Sequence, residues 1–436
     1  MAHTTRPVVV DLFSGAGGLS LGFEQAGFDV VSAVEYDPIH AYVHKFNFPK
    51  CDVVCRDVSA LSGKDIVDSA RRGLRAHRRD SEKPQPIDVL VGGPSCQGFS
   101  SMGRRIEGDD RNDLLAQYVR LVCEIKPPVF VLENVPGLLE ERFLEFRNTL
   151  WAKLEAAGYT LTGTTNWLNA SDFGVPQARK RVLIVGTLSG EEVHIQPSPD
   201  SKKITVAEAF QGLPNIELYD ELRFADRATL TDADFAARSL SKSLYARHLS
   251  GVDTITNLGR PRAWDPHTIT NSLKTAHTDE TIRRFRETMP GTTEPVSRFY
   301  RLSLDSPART LRAGTGRERG AHTAPRPIHP TQPRVITVRE AARLHGYPDW
   351  FQFNPTNWHG HRQVGNSVPP PLGFAAGLAV LKYLGHSPRK VQKQSELGSL
   401  EWLHLKPGDA AARIGARPVE LPSQRKRAKG STPEVP

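Results

Sequence analysis

The sequence predicts an open, doubly wound α/β domain with a mostly parallel sheet, interrupted by a smaller irregular domain. Three observations carry this. Short β-branched runs alternate with helical stretches from Pro7 to about Gly186; the rhythm vanishes from about Leu188 to Pro333; it returns with TVREAARLHGYPDW and PLGFAAGLAVLKYL. Strands that are apolar without alternation suit a parallel sheet buried on both faces, and strand–helix alternation builds βαβ units.

The strands come in order as VVVDLF, VVSAVEYD, IDVLVGG, PPVFVLENV and RVLIVGT. Between them, residues 112–125 and 143–157 have apolar positions at helical spacing. The expected division is a catalytic and cofactor-binding core over 1–187, a second domain over 188–305 and a return to the core over 306–385. Residues 386–436 turn polar and basic, ending in QRKRAKGSTPEVP, and read as a flexible tail.

The length of 436 residues suits two or three domains with a substantial core. Lys and Arg number 57 against 48 Asp and Glu, a net charge of +9, mildly basic and unlike a histone. Hydrophobic residues at 38% argue against a disordered chain. Four cysteines do not make a disulfide scaffold, which points to a reducing compartment. No run approaches ~18 uninterrupted apolar residues, and the N-terminus lacks a signal-peptide core, so a cytoplasmic protein with no membrane partner is expected. In the second domain, arginines crowd the stretch from Arg260 to Arg326, among them Arg283, Arg284, Arg286, Arg298, Arg301, Arg309 and Arg312. An arginine-rich lobe facing a cleft suits a phosphate backbone; a solvated basic face is the alternative.

Asp11-Leu-Phe-Ser-Gly15-Ala-Gly17-Gly18 follows a strand and opens a helix. Its glycines allow a tight turn and close approach of a ligand to the helix N-terminus. Glu35 ends the next strand, about 20 residues on, where a carboxylate can accept from both hydroxyls of a ribose. Asp57, at a third strand end, is placed to hold an adenine amino group. Lacking the spaced G-x-G-x-x-G, the loop favours S-adenosylmethionine over a nicotinamide dinucleotide, without excluding the latter.

Gly92-Gly-Pro-Ser-Cys96-Gln-Gly-Phe-Ser100 follows the strand IDVLV directly. Cys96 therefore stands at a strand's carboxyl end, where open α/β sheets bind ligands and a nucleophile is useful. Cys51, Cys55 and Cys123 sit in apolar or helical contexts and read as small buried hydrophobes. His40, His44, Cys51 and Cys55 do not converge as tetrahedral zinc ligands, because the Cys-x-x-x-Cys pair enters a strand. No metal is expected. VFVLENV ends with Glu133 and Asn134 at the same sheet edge as Cys96; a glutamate beside a thiol pocket can stay protonated and donate a proton. In Gln177-Ala-Arg179-Lys-Arg181, an extended backbone points Arg179 and Arg181 to one side, where they can orient an oxygen-rich group and a carboxylate.

Taken in order, DLFSGAGG, VEYDP, GGPSCQGFS, ENV, QARKRV, TVREAARLHGYPD and QVGNSVPPPL resemble the motif series of the DNA (cytosine-5)-methyltransferases. The likeness covers about residues 7–187 and 306–385. It implies that Phe13, Ser14, Ala16, Gly18, Glu35, Tyr36, Asp57, Val58, Asn366 and Ser367 surround S-adenosyl-L-methionine, and that Cys96 is the nucleophile. It implies that Glu133 and Arg181 hold a flipped-out cytosine, with Arg179 and Gln177 supporting them, and that the arginine-rich insertion is a target-recognition domain for double-stranded DNA. Ser95 departs from the family pattern, where proline commonly precedes the cysteine. The resemblance further implies a monomeric bacterial enzyme of the cytoplasm and nucleoid, partnered by a restriction endonuclease.

These residue types fit the chemistry. Carbon 5 of cytosine is a poor nucleophile until a thiolate adds at carbon 6, and a free thiol is only a few per cent ionised near neutrality, so positive charge or loop amides should activate Cys96. A protonated Glu133 at ring nitrogen 3 and Arg181 at the carbon 2 oxygen would stabilise the adduct. The base must first leave the stack, at a cost of a few kcal/mol. The loop from Gln97 to Asn112 resembles the family's mobile active-site loop, with Met102 placed to fill the vacated stack and Arg104 and Arg105 to touch phosphate. Alternatives at this point are an RNA cytosine methyltransferase, a nicotinamide oxidoreductase and a catalytically silent DNA-binding regulator.

Overall fold

The computed structural model describes residues 4–79, 86–94, 113–199, 201–253, 257–314 and 326–414. Its core is one sheet, built from β1 (Val8–Leu12), β2 (Asp29–Glu35), β3 (Asp52–Cys55), β4 (Val89–Gly92), β5 (Val129–Asn134), β6 (Thr160–Thr162), β7 (Leu168–Asn169) and a later strand, β9 (Lys180–Thr187). The order is β3-β2-β1-β4-β5-β9-β6, with β7 paired to β9. The first five are parallel; β9 runs antiparallel to both β5 and β6. The predicted doubly wound, mostly parallel sheet is thus present.

The sheet is buried on both faces because its strands carry apolar residues at odd and even positions alike. Val9, Val89, Val91, Val129, Val131 and Leu183 point into one apolar cluster, and Val8, Val10, Leu90, Phe130, Leu132 and Ile184 into the other. Helices α1 (Gly18–Ala26) and α2 (Pro38–Asn47) cover the first face; α3 (Gly63–Ala76), α4 (Asp113–Ile125) and α5 (Leu144–Ala156) cover the second. The expected helices over 112–125 and 143–157 are α4 and α5.

After β9 the chain leaves the sheet. Helices α6 (Val206–Phe210), α7 (Asp232–Ser239), α8 (Leu244–Leu249) and α9 (Asp279–Glu287) are joined by irregular segments and two small sheets: β10 (Ala228–Thr229) with β11 (Thr268–Ile269), and β8 (Gln177–Ala178) with β12 (Ala308–Arg309). This second unit has its own cluster around Ile216, Leu222, Leu230 and Ile269. Its packing boundary differs from the expected 188–305. Val206 and Ala209 already belong to the main core, whereas Ile328 and Val335 still pack on Phe285 of α9. Its root is tied to the core by charge: Arg260 meets Asp29 at 2.6 Å and Arg262 meets Glu24 at 2.9 Å.

The return segment supplies α10 (Val338–Arg343), α11 (Asn357–Asn366) and α12 (Pro370–Tyr383). α12 lies along α1 through Gly22, Gly373 and Gly377, which lets the two backbones approach closely. Residues Asn357–Tyr383 reach the length and mean hydropathy (1.2) of a membrane span, but they form two helices broken at Ser367–Pro369, and 61% of that window is buried in the fold. Arg343 is wholly buried and forms a two-point pair with Asp349, both contacts at 2.6 Å. Removing one partner strands an uncompensated buried charge. Asp349→Ala is therefore expected to cost ~3–5 kcal/mol in denaturant unfolding; a loss under ~1 kcal/mol would show that this pair does not brace the return segment.

The reading of residues 386–436 as a flexible tail is corrected for their first half. Residues 386–414 fold back, with a 3-10 turn at Leu400–His404 and α13 (Pro407–Ile414). Trp402 and Ala410 pack on Ile39 and Tyr42 of α2, Gly398 N donates to Phe46 O, and Ser395 pairs with the backbone at 261–263. A polar average concealed a few apolar anchors spaced to meet one helix.

Candidate active site

The strand order reverses between β1 and β4, whose carboxyl ends lie side by side with Leu12 opposite Gly92. Open α/β sheets bind ligands in the crevice outside such a reversal. Here it juxtaposes the loop after β1, which holds the glycines, and the loop after β4, which leads to Cys96. Cys96 itself, with Met102, Arg104 and Arg105, lies outside the described residues.

The glycine loop turns at Phe13, held at φ 58°, a left-handed conformation that costs a bulky residue energy and tends to persist at ligand sites. Ser14 N donates to Val34 O at 3.0 Å, and Gly15 N to Glu35 Oε2 at 2.8 Å. The other oxygen of Glu35 accepts from Asp37 N at 2.9 Å. Two amides thus aim the carboxylate while leaving lone pairs for further donors. The Ser14 hydroxyl is buried without a hydrogen-bond partner among the described residues, and Ala16 is buried beside it in sequence. Tyr36, just after Glu35, exposes 54% of its surface, a large aromatic ring left open at the cleft. Gly18 packs tightly on the return segment: a Cβ there would come 2.3 Å from the Val368 carbonyl oxygen and 3.0 Å from Ser367 Cβ. Asn366 is exposed at the end of α11, next to Ser367.

These residues form a cradle suited to a nucleoside bearing a short polar arm: a fixed carboxylate for vicinal hydroxyls, an exposed ring for a base and an unpaired hydroxyl. Asp57 has a nearer use. Its Oδ1 accepts from Ser59 N at 2.9 Å and Ser59 Oγ at 2.7 Å, capping the 3-10 turn Val58–Ala60, in which Val58 is buried.

At the end of β5, Glu133 Oε1 meets Arg181 Nε at 2.7 Å, with both side chains mostly buried. A Cβ on Gly93 would lie 2.8 Å from Glu133 Oε2, so the first residues of the loop bearing Cys96 run directly against this carboxylate. Arg181 lies in β9, and Arg179 lies in the link between β8 and β9. Their roles in the structure differ. Arg179 is 1% exposed and donates to the carbonyls of Leu311, Gly365 and Ser367 at 2.8, 2.8 and 3.1 Å. Gln177, fully buried, accepts from Leu311 N and donates to Leu344 O. Both join the core strand to the return segment.

Two further groups were not evident in the sequence. His345 Nε2 lies 3.0 Å from Ser367 O; burial, then Arg179, holds its imidazole well below the usual histidine range, so it stays neutral. Asp11, at the root of the glycine loop, accepts from Ser20 Oγ at 2.6 Å, and Ser20 Oγ lies 3.0 Å from His44 Nε2. Only an aspartate ending a buried strand hinted at this. Burial raises Asp11 from 3.8 to about 7, against the opposing Ser20 hydrogen bond, and lowers His44 to about 3. Because the folded carboxyl holds its proton more tightly than the unfolded one, its contribution to stability falls as pH rises from about 4 through about 7, by on the order of 4 kcal/mol. Relative to Asp11→Asn, the wild type should lose stability between about pH 4 and about pH 7 in denaturant titrations. A constant difference would place Asp11 in a more polar setting.

The basic lobe is less available than its composition suggested. Arg301 is spent on the carbonyls of Phe285, Arg286, Thr288 and Pro330, Arg283 pairs with Glu287, and Arg284 lies 3.9 Å from Glu294. Among the described residues no group of three His, Cys, Asp or Glu could hold a metal ion. Burial pushes the Cys55 thiol up to about 12 and Cys51 well above its ordinary range.

The fold and the ordered site loops define a methyl-transferring enzyme, and residues 8–382 match the C-5 cytosine-specific DNA methylase family. The chain belongs to that family, and its enzyme class is DNA (cytosine-5-)-methyltransferase. It is 45% identical over 433 residues to the Type II methyltransferase M.XorII of Xanthomonas oryzae pv. oryzae, covering 97% of this chain and 98% of that one. It is 31% identical to the Type II methyltransferase M1.HphI of Haemophilus parahaemolyticus, covering 86% of each. A solved DNA modification methyltransferase encoded within an E. coli prophage superposes with a TM-score of 0.68 at 33% identity, covering 87% of this chain and 99% of that chain. The S. pombe Dnmt2 methyltransferase shares the fold, with a TM-score of 0.52 at 18% identity.

Proposed function

We propose that this chain methylates carbon 5 of a flipped-out cytosine in a specific duplex DNA sequence, through a covalent adduct with Cys96, and that S-adenosyl-L-methionine is the donor. The observation that carries the reading is the pairing of Leu12 with Gly92, which sets the glycine loop beside the Cys96 loop while Gly93 abuts Glu133. The cradle fits the donor. Glu35 would accept from the ribose hydroxyls, Tyr36 would cover the adenine, and Phe13, Ser14, Ala16 and Gly18 would line the methionine arm with Asn366 and Ser367. Asp57 would take the adenine amino group with the oxygen not engaged by Ser59, and Val58 would close that end. When bound, the donor supplies an electrophilic methyl carbon on a sulfonium.

The chain's own residues do the rest. The Cys96 thiolate forms a bond to carbon 6, and the electrons of the carbon 5–carbon 6 double bond shift into the ring. Glu133 donates a proton at ring nitrogen 3, and Arg181 binds both Glu133 and the carbon 2 oxygen of the base. Arg179 and Gln177 hold that strand in register against the return segment. Carbon 5, now enamine-like, takes the methyl group as the methyl–sulfur bond breaks with its electron pair left on the donor's sulfur. A base then removes the carbon 5 proton, the double bond re-forms, the thiolate leaves and the proton on ring nitrogen 3 returns to Glu133. The Type II methyltransferase relatives support a restriction-modification setting, in which the modified sequence is spared by a partner endonuclease in a bacterial cytoplasm.

Bisulfite mapping of DNA from a host lacking its own cytosine methylation, after expression of this chain, is the test. Modified cytosines in one recurrent sequence are expected; label from the methyl donor entering only RNA would overturn the reading.

A further inference from the structure

Two cations on the rim of the site have no acidic partner among the described residues. Lys180 Nζ sits 3.7 Å above the Trp167 ring, and the Arg309 guanidinium 3.8 Å from the Tyr300 ring. Among the described residues no carboxylate lies within ion-pair distance (4.0 Å) of either. Lys180 and Arg309 are exposed, and Trp167 keeps 44% of its surface open. An aromatic face holds a cation in place without neutralising it. By contrast, Arg283, Arg284 and Arg301 in the insertion are all committed to carboxylates or carbonyls.

The backbone puts these two cations on one face. Burial alternates along the ribbon: Gln177 and Arg179 are buried, Ala178 and Lys180 exposed. β12 pairs in parallel with β8, Arg309 opposite Ala178, so Arg309 shares the outward side with Lys180, and Thr310 Oγ1 donates to Ala178 O at 2.7 Å to hold that pairing. The two positions are ~7 Å apart along the ribbon. β9 runs antiparallel to β5, with Asn134 opposite Val182, so Lys180 and Arg181 project beyond the carboxyl edge where Glu133 stands. One side of this ribbon therefore serves the base pocket and the other presents two seated positive charges beside it.

We propose that Lys180 and Arg309 form a phosphate-binding ledge that carries the DNA backbone flanking the target cytosine, with Trp167 and Tyr300 as their seats. The proposal rests on the placement of the target base at Glu133 and Arg181. A polyanion suits two exposed cations set along one ribbon, because their aromatic seats leave both charges unneutralised. Such contacts position a duplex and are blind to its sequence.

The test uses the full chain with Lys180→Gln, Arg309→Gln and the double variant, binding labelled duplexes with and without the target sequence over a salt series. Each single change is expected to reduce the slope of log affinity against log salt by ~0.9, the double by ~2, and each to weaken both duplexes alike by ~3–10-fold at ~0.15 M salt. Affinity for S-adenosylmethionine should be unchanged by calorimetry. An unaltered salt slope in the double variant overturns the ledge, as does a loss confined to the target duplex, which would mean base readout. Trapping of the wild type by a 5-fluorocytosine duplex separates the two readings: a normal covalent complex with an unaltered slope refutes only the ledge, and failure to trap refutes the catalytic reading on which it rests.

Discussion

Cys96→Ser is expected to lower single-turnover methyl transfer on the order of 10⁴-fold or more while leaving affinity for the donor intact. The reason is the energy of the attacking species. A thiol is partly ionised near neutrality and becomes more so beside positive charge, whereas a serine hydroxyl at the same place stays protonated and adds poorly to carbon 6. The variant should also fail to form a covalent complex with a fluorinated target, because the bond that would be trapped is never made. Full methylation by Cys96→Ser would show the covalent step to be wrong even if substrate and product are as proposed.

Glu133→Gln should lower kcat by ~10²–10⁴-fold, the usual worth of a positioned proton donor. The amide keeps the volume that meets Gly93 and can still offer an oxygen to Arg181 Nε, now 2.7 Å from the carboxylate, so the site's shape survives. What is lost is the proton delivered to ring nitrogen 3 as charge builds there. The readout is the single-turnover rate at saturating donor and duplex; a fall of less than ~10-fold would remove Glu133 from that role and leave it a partner of Arg181 alone.

Much of the molecule was legible in advance because the signals are local. Continuous apolar strands such as Val8–Leu12 and Val129–Asn134 announce burial on two faces, and α4 and α5 fall within a residue or two of where apolar spacing put them. The short pieces were not legible. β7, β8 and β12 span two residues each and exist only because their partners arrive from elsewhere, as when Arg309 meets Ala178. The segment 386–414 misled for the same reason: Trp402, Leu405 and Ala410 are too sparse to form a pattern until α2 offers them a surface. Arginine content overstated the free charge of the insertion, since a guanidinium on main-chain carbonyls, like that of Arg301, looks in sequence like one awaiting phosphate.

From sequence alone came the order of motifs, the sheet they build and the candidate residues at its carboxyl edge, because strand burial and loop chemistry are written in runs of neighbouring residues. Tertiary structure alone decided which of those residues meet. Gly18 touches Ser367 and Val368 from a segment some 350 positions away, Arg179 turns inward to clasp that segment, and Arg181 rather than Arg179 becomes the partner of Glu133. Contacts between distant stretches depend on how whole helices pack, and no local pattern encodes that.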